Sequence, residues 1–282
     1  MFKDSSSKKV LITGATGSIG QYLVPIFLKN KYEIQATTRD LKNAEQFSWS
    51  NDVEFIKFDM NDALDDLDIY PETGIVHLAW QGLPNYQSDF HIEENLPINY
   101  NFIKSLIERG AKHFLIAGTC AEYGMRQGMI KASDPTEPNT QYAIAKDTLH
   151  KQLRFLQQSH DFALQWARLF YVYDGDGQRA NSLIKQLDKA IDNKEKTFNM
   201  TGGEQLRDYL PIEEVVEQLY FLFENFQDGT FNICSGIPIR LKRLVEDHIK
   251  KRNSKIKINA GFYPYHDYEP MEFWGEKDIR LK

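Results

Sequence analysis

The chain has 282 residues, 41% of them hydrophobic, and a formal net charge of −6, so it is long enough for one large domain or two small ones and lacks the basic footprint of a nucleic-acid binder. Two distant cysteines make no disulfide framework, and the seven histidines make no metal-ligand spacing; a reducing cytoplasm is expected and a metal site is not. Residues 1–9 are polar with no apolar signal core, and no run approaches the roughly 20 apolar residues that span a bilayer.

Val10-Leu11-Ile12-Thr13 is an apolar run that ends in Gly14-Ala15-Thr16-Gly17-Ser18-Ile19-Gly20, three glycines three apart. An amphipathic pattern follows from Gln21 to Leu28, so the stretch predicts a strand, a tight turn and a helix. Without a Cβ at Gly14 or Gly17 a pyrophosphate can approach the backbone, and the helix N-terminus offers it N–H donors. A purely structural turn is the other reading. Tyr32 to Thr37 predicts a second strand, ending at Thr38-Arg39-Asp40. An acidic residue at that position would bind the ribose hydroxyls and repel a 2′-phosphate. Thr38 and Arg39 suit the phosphate, so NADP(H) is favoured, NAD(H) is possible, and an exposed arginine at a strand end is the alternative.

Val53 to Phe58 is a third predicted strand, leading into Asp59-Met60, and Gly74 to Ala79 a fourth, nearly all apolar. Trp80 to Tyr86 is an aromatic loop at the strand end where open α/β sheets bind ligands. A helix over Glu94 to Glu108 and a strand over His113 to Ala117 lead to Gly118-Thr119-Cys120-Ala121-Glu122-Tyr123-Gly124. The alternation predicts a doubly wound, Rossmann-type parallel sheet. After a turn over Asp134 to Thr140, a helix carries Tyr142 and Lys146, four apart and on one face. An ammonium there is expected to draw the phenol below its ordinary pKa of about 10, readying it to exchange a proton with a substrate oxygen. The spacing alone is common.

Phe162 to Arg168 reads as a sixth strand, Leu169 to Gln178 as a loop, Ser182 to Asp192 as a helix and Thr197 to Met200 as a short strand. A glycine turn carrying Arg207 follows, then helices over Ile212 to Phe226 and Leu241 to Arg252, with a strand over Gly229 to Cys234 between them. The expected organisation is a Rossmann-type domain over residues 1–175, a crossover near 201–235, and a smaller α/β substrate lobe over 176–282.

Taken in order, Gly14-x-x-Gly17-x-x-Gly20, Asp59, His77-Leu78-Ala79, Asn95, Thr119 with Tyr123-Gly124, Tyr142-x-x-x-Lys146, Arg168-Leu169-Phe170 with Val172-Tyr173, and Arg207-Asp208-Tyr209 resemble an extended short-chain dehydrogenase/reductase of the NAD-dependent epimerase/dehydratase family, from about Lys9 to Cys234. The resemblance implies sugar nucleotides as substrates. It places Thr119 and Tyr142 at the reacting oxygen and Lys146 on the nicotinamide ribose. It implies cofactor contacts from Gly14, Thr16, Gly17, Ser18, Ile19, Gly20, Thr38, Arg39, Asp59, Met60, Leu78, Ala79, Trp80, Asn95, Ala117, Tyr142, Lys146 and Phe170. Trp80, Thr119, Cys120, Tyr142, Tyr171, Asn181 and Arg207 would meet the substrate, with Arg207 on the diphosphate; an ion pair between lobes is the other reading of Arg207.

Departures narrow the chemistry. Where the family's 4,6-dehydratases carry Thr-Asp-Glu, this chain has Thr119-Cys120-Ala121, so dehydration lacks its acid and base. Cys120 stands one position from the cysteine of GDP-fucose synthases and reads as a small buried residue. Tyr171 and Asp174-Gly175 replace the family's usual Asn and Gly-Pro, which unsettles the sugar contacts of that loop. The tail from Tyr263 to Gly275 is similar to members that reduce 4-keto-6-deoxy sugar nucleotides for bacterial surface polysaccharides. The expected activity is an NADPH-dependent 4-ketoreductase. A 4-epimerase with tightly held NAD(P) is its rival, and a non-catalytic dinucleotide-sensing protein is the alternative of another class. The resemblance also implies a homodimer, for which Ile98, Phe102, Ser105 and Leu106 and, on the next helix, Leu149, Leu153 and Leu156 offer apolar stripes.

Overall fold

A computed structural model describes residues 8–62, 67, 70, 72–173 and 182–278. In chain order the elements are β1 (Lys8–Thr13), α1 (Gly20–Lys29), β2 (Tyr32–Thr38), α2 (Leu41–Ala44), β3 (Glu54–Lys57), β4 (Gly74–His77), α3 (Leu96–Glu108), β5 (His113–Thr119), β6 (Gly128–Ile130), α4 (Gln141–Leu156), β7 (Ala163–Leu169) and β8 (Tyr171–Tyr173). They continue with α5 (Leu183–Asp192), β9 (Thr197–Met200), β10 (Leu206–Arg207), β11 (Tyr209–Pro211), α6 (Ile212–Glu224), β12 (Gly229–Ile233), β13 (Ile239–Arg240), α7 (Leu241–Lys251), β14 (Lys257–Ala260) and β15 (Glu272–Gly275).

Seven strands form one parallel sheet in the order β3-β2-β1-β4-β5-β7-β12. The chain winds outward from β1 to β3, then restarts at β4 and winds the other way. That reversal opens a crevice at the carboxyl ends of β1 and β4. Successive strand residues face opposite sides. Val10 and Ile12 join Leu23, Val24 and Phe27 of α1 and Val215, Leu219 and Phe223 of α6 on one face. Leu11 faces the other side, where Ile75, Phe114 and Trp166 meet Phe102, Ile103 and Leu106 of α3 and Leu149, Leu153 and Leu156 of α4.

This packing corrects the residue basis of the expected dimer. Phe102, Leu106, Leu149, Leu153 and Leu156 are consumed by the chain's own sheet, and each such buried side chain contributes roughly 1.5–3 kcal/mol to the fold. A charge at Phe102 would unfold the protomer rather than divide two of them.

The later half of the chain alternates between two bodies. β12 pairs with β7 at the edge of the large sheet, and α6 packs beside α1. By contrast α5, α7, β9 and β14 enclose a separate core of Leu187, Phe198, Met200, Val245 and Ile256. Between them lie a four-stranded sheet, β13-β10-β15-β6, and the parallel pair β8 and β11. No helix among the described residues is long and apolar enough to cross a membrane.

Candidate active site

The turn after β1 requires its glycines on steric grounds. Gly14 has φ +71°, and a Cβ there would stand 2.9 Å from the Ala79 nitrogen. Gly17 N–H donates to the Gly14 carbonyl at 2.9 Å, and a Cβ on Gly20 would sit 2.2 Å from that same oxygen. Thr16 and Ser18 are half-buried in the turn and Ile19 is buried. No side chain caps α1 and its first turn holds no acid, so its positive end is not neutralised by the chain itself. Across the crevice, exposed Arg39 donates to Gln81 Oε1 at 3.0 Å, while the buried Thr38 hydroxyl bonds the Asp40 carbonyl at 3.0 Å. Half-buried Asp59 accepts from the backbone and side chain of Asn61, at 3.1 and 2.9 Å, and Met60 packs against the core.

Beneath the crevice runs a buried polar chain. Thr13 Oγ1 lies 2.9 Å from His77 Nδ1, His77 Nε2 lies 2.7 Å from Asn99 Oδ1, and Asn99 Nδ2 donates to the Asn95 carbonyl at 2.6 Å. Burial first, then the charge of Lys146, pushes the His77 pKa down to about 3. The ring is therefore neutral; Nε2–H donates to Asn99 and Nδ1 accepts from the Thr13 hydroxyl. Asn95 ends a single π-turn over His91–Asn95 and donates to the Gln81 carbonyl at 2.8 Å. Its Oδ1 is buried without a partner among the described residues, a spare acceptor.

Thr140 caps α4 by accepting from Ala143 N–H at 3.2 Å, which fixes the first turn and thus Tyr142, with Lys146 one turn on. The Tyr142 ring lies among Trp80, Tyr86 and His91, at centroid distances of 6.0, 5.6 and 5.4 Å. His91 holds Trp80 in place: its Nδ1 accepts from the indole N–H at 3.1 Å and its Nε2 donates to the Asn85 carbonyl at 3.0 Å. Lys146 donates to the Ala117 carbonyl at 2.8 Å and stands 4.0 Å from the Trp80 ring centroid.

The expected acidification of Tyr142 by Lys146 is not what this geometry produces. Burial raises the Tyr142 pKa, Tyr86 and Glu122 add to it, and the Thr119 hydrogen bond only partly opposes them. The ammonium is engaged with Ala117 and Trp80, and burial lowers its own pKa to about 7 against the pull of Glu122. Tyr142 is thus a fully protonated phenol, the state of a proton donor.

Thr119, at the end of β5, accepts from Ala121 N–H at 3.2 Å, which leaves its hydroxyl hydrogen to donate elsewhere. Its own N–H donates to Glu122 Oε1 at 2.8 Å. Glu122 is fully buried and also takes Arg168 Nε at 2.6 Å and Trp166 Nε1 at 3.0 Å. Sequence reasoning passed over this carboxylate, although Thr-x-x-Glu is the pattern of a capping box.

A second group gathers near β8 and β10. Buried Arg207 bonds the Glu269 carboxylate at 3.1 Å and the Leu206 carbonyl at 3.0 Å, with its guanidinium 5.5 Å from the Tyr171 ring centroid. Arg207 is thus ion-paired, but with a carboxylate that precedes β15, the strand paired with its own β10, and not across two separate sheets. Cys120 and Phe170 sit in a small core with Tyr123, Cys234 and Phe273 rather than facing open space, and burial pushes the Cys120 thiol well up. Asn181 lies outside the described residues. Among those described, no group of three or more His, Cys, Asp or Glu could hold a metal ion.

The profile of the NAD dependent epimerase/dehydratase family matches residues 10–234. The chain belongs to that family. It is 31% identical to dTDP-6-deoxy-L-talose 4-dehydrogenase (NAD(+)) of Aggregatibacter actinomycetemcomitans over 95% of this chain and 99% of the relative. It is 27% identical to dTDP-4-dehydro-6-deoxyglucose reductase of Escherichia coli, covering 90% and 85% of the two chains. The fold is shared with a UDP-N-acetylglucosamine 4-epimerase from Methanobrevibacter ruminantium M1, at TM-score 0.82 and 21% identity over 96% and 90%.

Proposed function

We propose that the protein is a nucleotide-sugar 4-ketoreductase that converts a nucleoside-diphosphate 4-keto-6-deoxy sugar to the 4-hydroxy sugar with NADPH. The observation that carries this reading is the convergence of Thr119, Tyr142 and Lys146, with the phenol held protonated and no acid–base carboxyl pair at Cys120 and Ala121. A bound nicotinamide supplies the hydride. Tyr142 gives its proton to the oxygen that becomes an alkoxide, and Thr119 donates a hydrogen bond to that oxygen. Lys146, anchored on the Ala117 carbonyl and the Trp80 ring, would hold the ribose side of the site. Trp80 and Tyr86 flank the Tyr142 ring, at centroid distances of 6.0 and 5.6 Å. A protonated phenol suits reduction; oxidation of the hydroxyl is the same path reversed.

The two dTDP-sugar relatives support a deoxythymidine diphosphate substrate, and Arg39 supports NADPH. Arg207, once Glu269 yields it, would hold the diphosphate as a guanidinium fork. The reading includes a homodimer built on the outward face of α4, where Ile144 and Phe155, the latter 71% exposed, stand three turns apart. The test is incubation with dTDP-, GDP- and CDP-linked 4-keto-6-deoxy sugars while NADPH and NADH absorbance are followed. Net oxidation of NADPH by one of them is expected. Interconversion of 4-hydroxy epimers with no net cofactor consumption would establish the epimerase instead.

A further inference from the structure

We propose that Glu122 is the positioning residue that aims Thr119, a role that rests on the reading of Thr119 as donor to the reacting oxygen. Thr119 is the last residue of β5 and would otherwise be free to rotate with the turn that follows it. Its backbone and its hydroxyl are each tied once, by Glu122 Oε1 at 2.8 Å and by Ala121 N–H at 3.2 Å. The second bond uses the acceptor side of Oγ1, so the hydroxyl hydrogen is left to donate to a partner other than the Ala121 amide.

The carboxylate is itself immobilised from the neighbouring strand. Arg168 Nε meets Oε2 at 2.6 Å, and the Trp166 indole N–H reaches both oxygens at 3.0 and 3.1 Å. Trp166 and Arg168 both belong to β7, which pairs with β5 so that Gly118 lies opposite Arg168 and Thr119 opposite Leu169. The bracket therefore runs from β7 through Glu122 to the Thr119 backbone. It demands glycine before Thr119, because a Cβ at Gly118 would stand 2.3 Å from Trp166 Nε1 and 2.7 Å from Glu122 Oε1. Stability does not explain a fully buried ion pair here, since such pairs are often replaceable by apolar residues at no loss. Its contact with the residue at the chemistry does explain it.

Removing Glu122 alone would strand the Arg168 guanidinium, so the test uses paired changes. Glu122→Leu/Arg168→Met and Glu122→Gln/Arg168→Met both lack the ion pair, and only the second keeps an oxygen for Thr119 N–H. With the dTDP 4-keto-6-deoxy sugar as substrate, kcat is expected to fall on the order of 10²-fold in the Leu variant, as for a misplaced catalytic group. It should recover to within about tenfold of wild type in the Gln variant, a difference one well-placed hydrogen bond can carry. Affinity for NADPH, read by fluorescence titration, should be the same in both. Equal kcat in the two double variants, high or low, overturns the proposal. If neither folds, Trp166→Phe loosens the carboxylate without stranding a charge; about a threefold loss of kcat is then expected, and an unchanged kcat overturns it. A Thr119→Val variant with wild-type turnover would instead remove the reading of Thr119 on which the proposal stands.

Discussion

Lys146 offers a test in which stability and activity move in opposite directions. Burial brings its pKa from 10.5 to about 7, so between those values the unfolded chain binds more protons than the folded one. Stability of the apoprotein must then rise with pH across this window on account of Lys146, and the full burden lies below pH 7. At about 1.4 kcal/mol per pKa unit, that burden is on the order of 5 kcal/mol, of which roughly 2 kcal/mol is relieved between pH 7 and pH 9. Lys146→Met removes the charge and keeps the stem. It also leaves the Ala117 carbonyl without this donor, at about 1–3 kcal/mol whatever the pH. The variant should therefore equal or exceed wild type in urea unfolding at pH 7, lose its advantage by about 2 kcal/mol at pH 9, and have no useful turnover at either. A stability gap between the two proteins that does not change from pH 7 to pH 9 would refute the buried-ammonium argument.

Tyr142→Phe removes one phenolic proton and little volume; turnover should drop about 10²–10⁴-fold with cofactor affinity nearly unchanged, as steady-state rates and titration would show. Arg39→Asp should weaken NADPH far more than NADH, and equal losses in the two titrations would mean that Arg39 does not read the 2′-phosphate. Glu269→Gln frees the Arg207 guanidinium from a competing carboxylate, so the KM for the nucleotide sugar should fall; a rise would make Glu269 itself a substrate contact. Phe155→Glu on the outer face of α4 should shift sedimentation from dimer to monomer without lowering the melting temperature, and a wild-type protein that sediments as a monomer at micromolar concentration removes the dimer altogether.

The strand–turn–helix at Gly14 to Gly20 was legible because its information is local: glycine spacing and apolar periodicity lie within one window. The Tyr142–Lys146 face was legible for the same reason, since a helix puts residues four apart together wherever it sits. The short strands β6, β8, β10, β11, β13 and β15 were not, because two to four residues carry no periodicity and exist only through partners far along the chain. The apolar stripes of α3 and α4 were visible, but what covers them was decided by the sheet they pack on. Electrostatics was likewise tertiary. A tyrosine and a lysine four apart promised an acidified phenol; the fold instead buried both, set the ammonium on a carbonyl and an indole, and raised the phenol. Glu122 shows the same division, for Thr-x-x-Glu announces a cap, while the tryptophan and arginine that anchor it lie more than 40 residues away and meet it only when β7 pairs with β5.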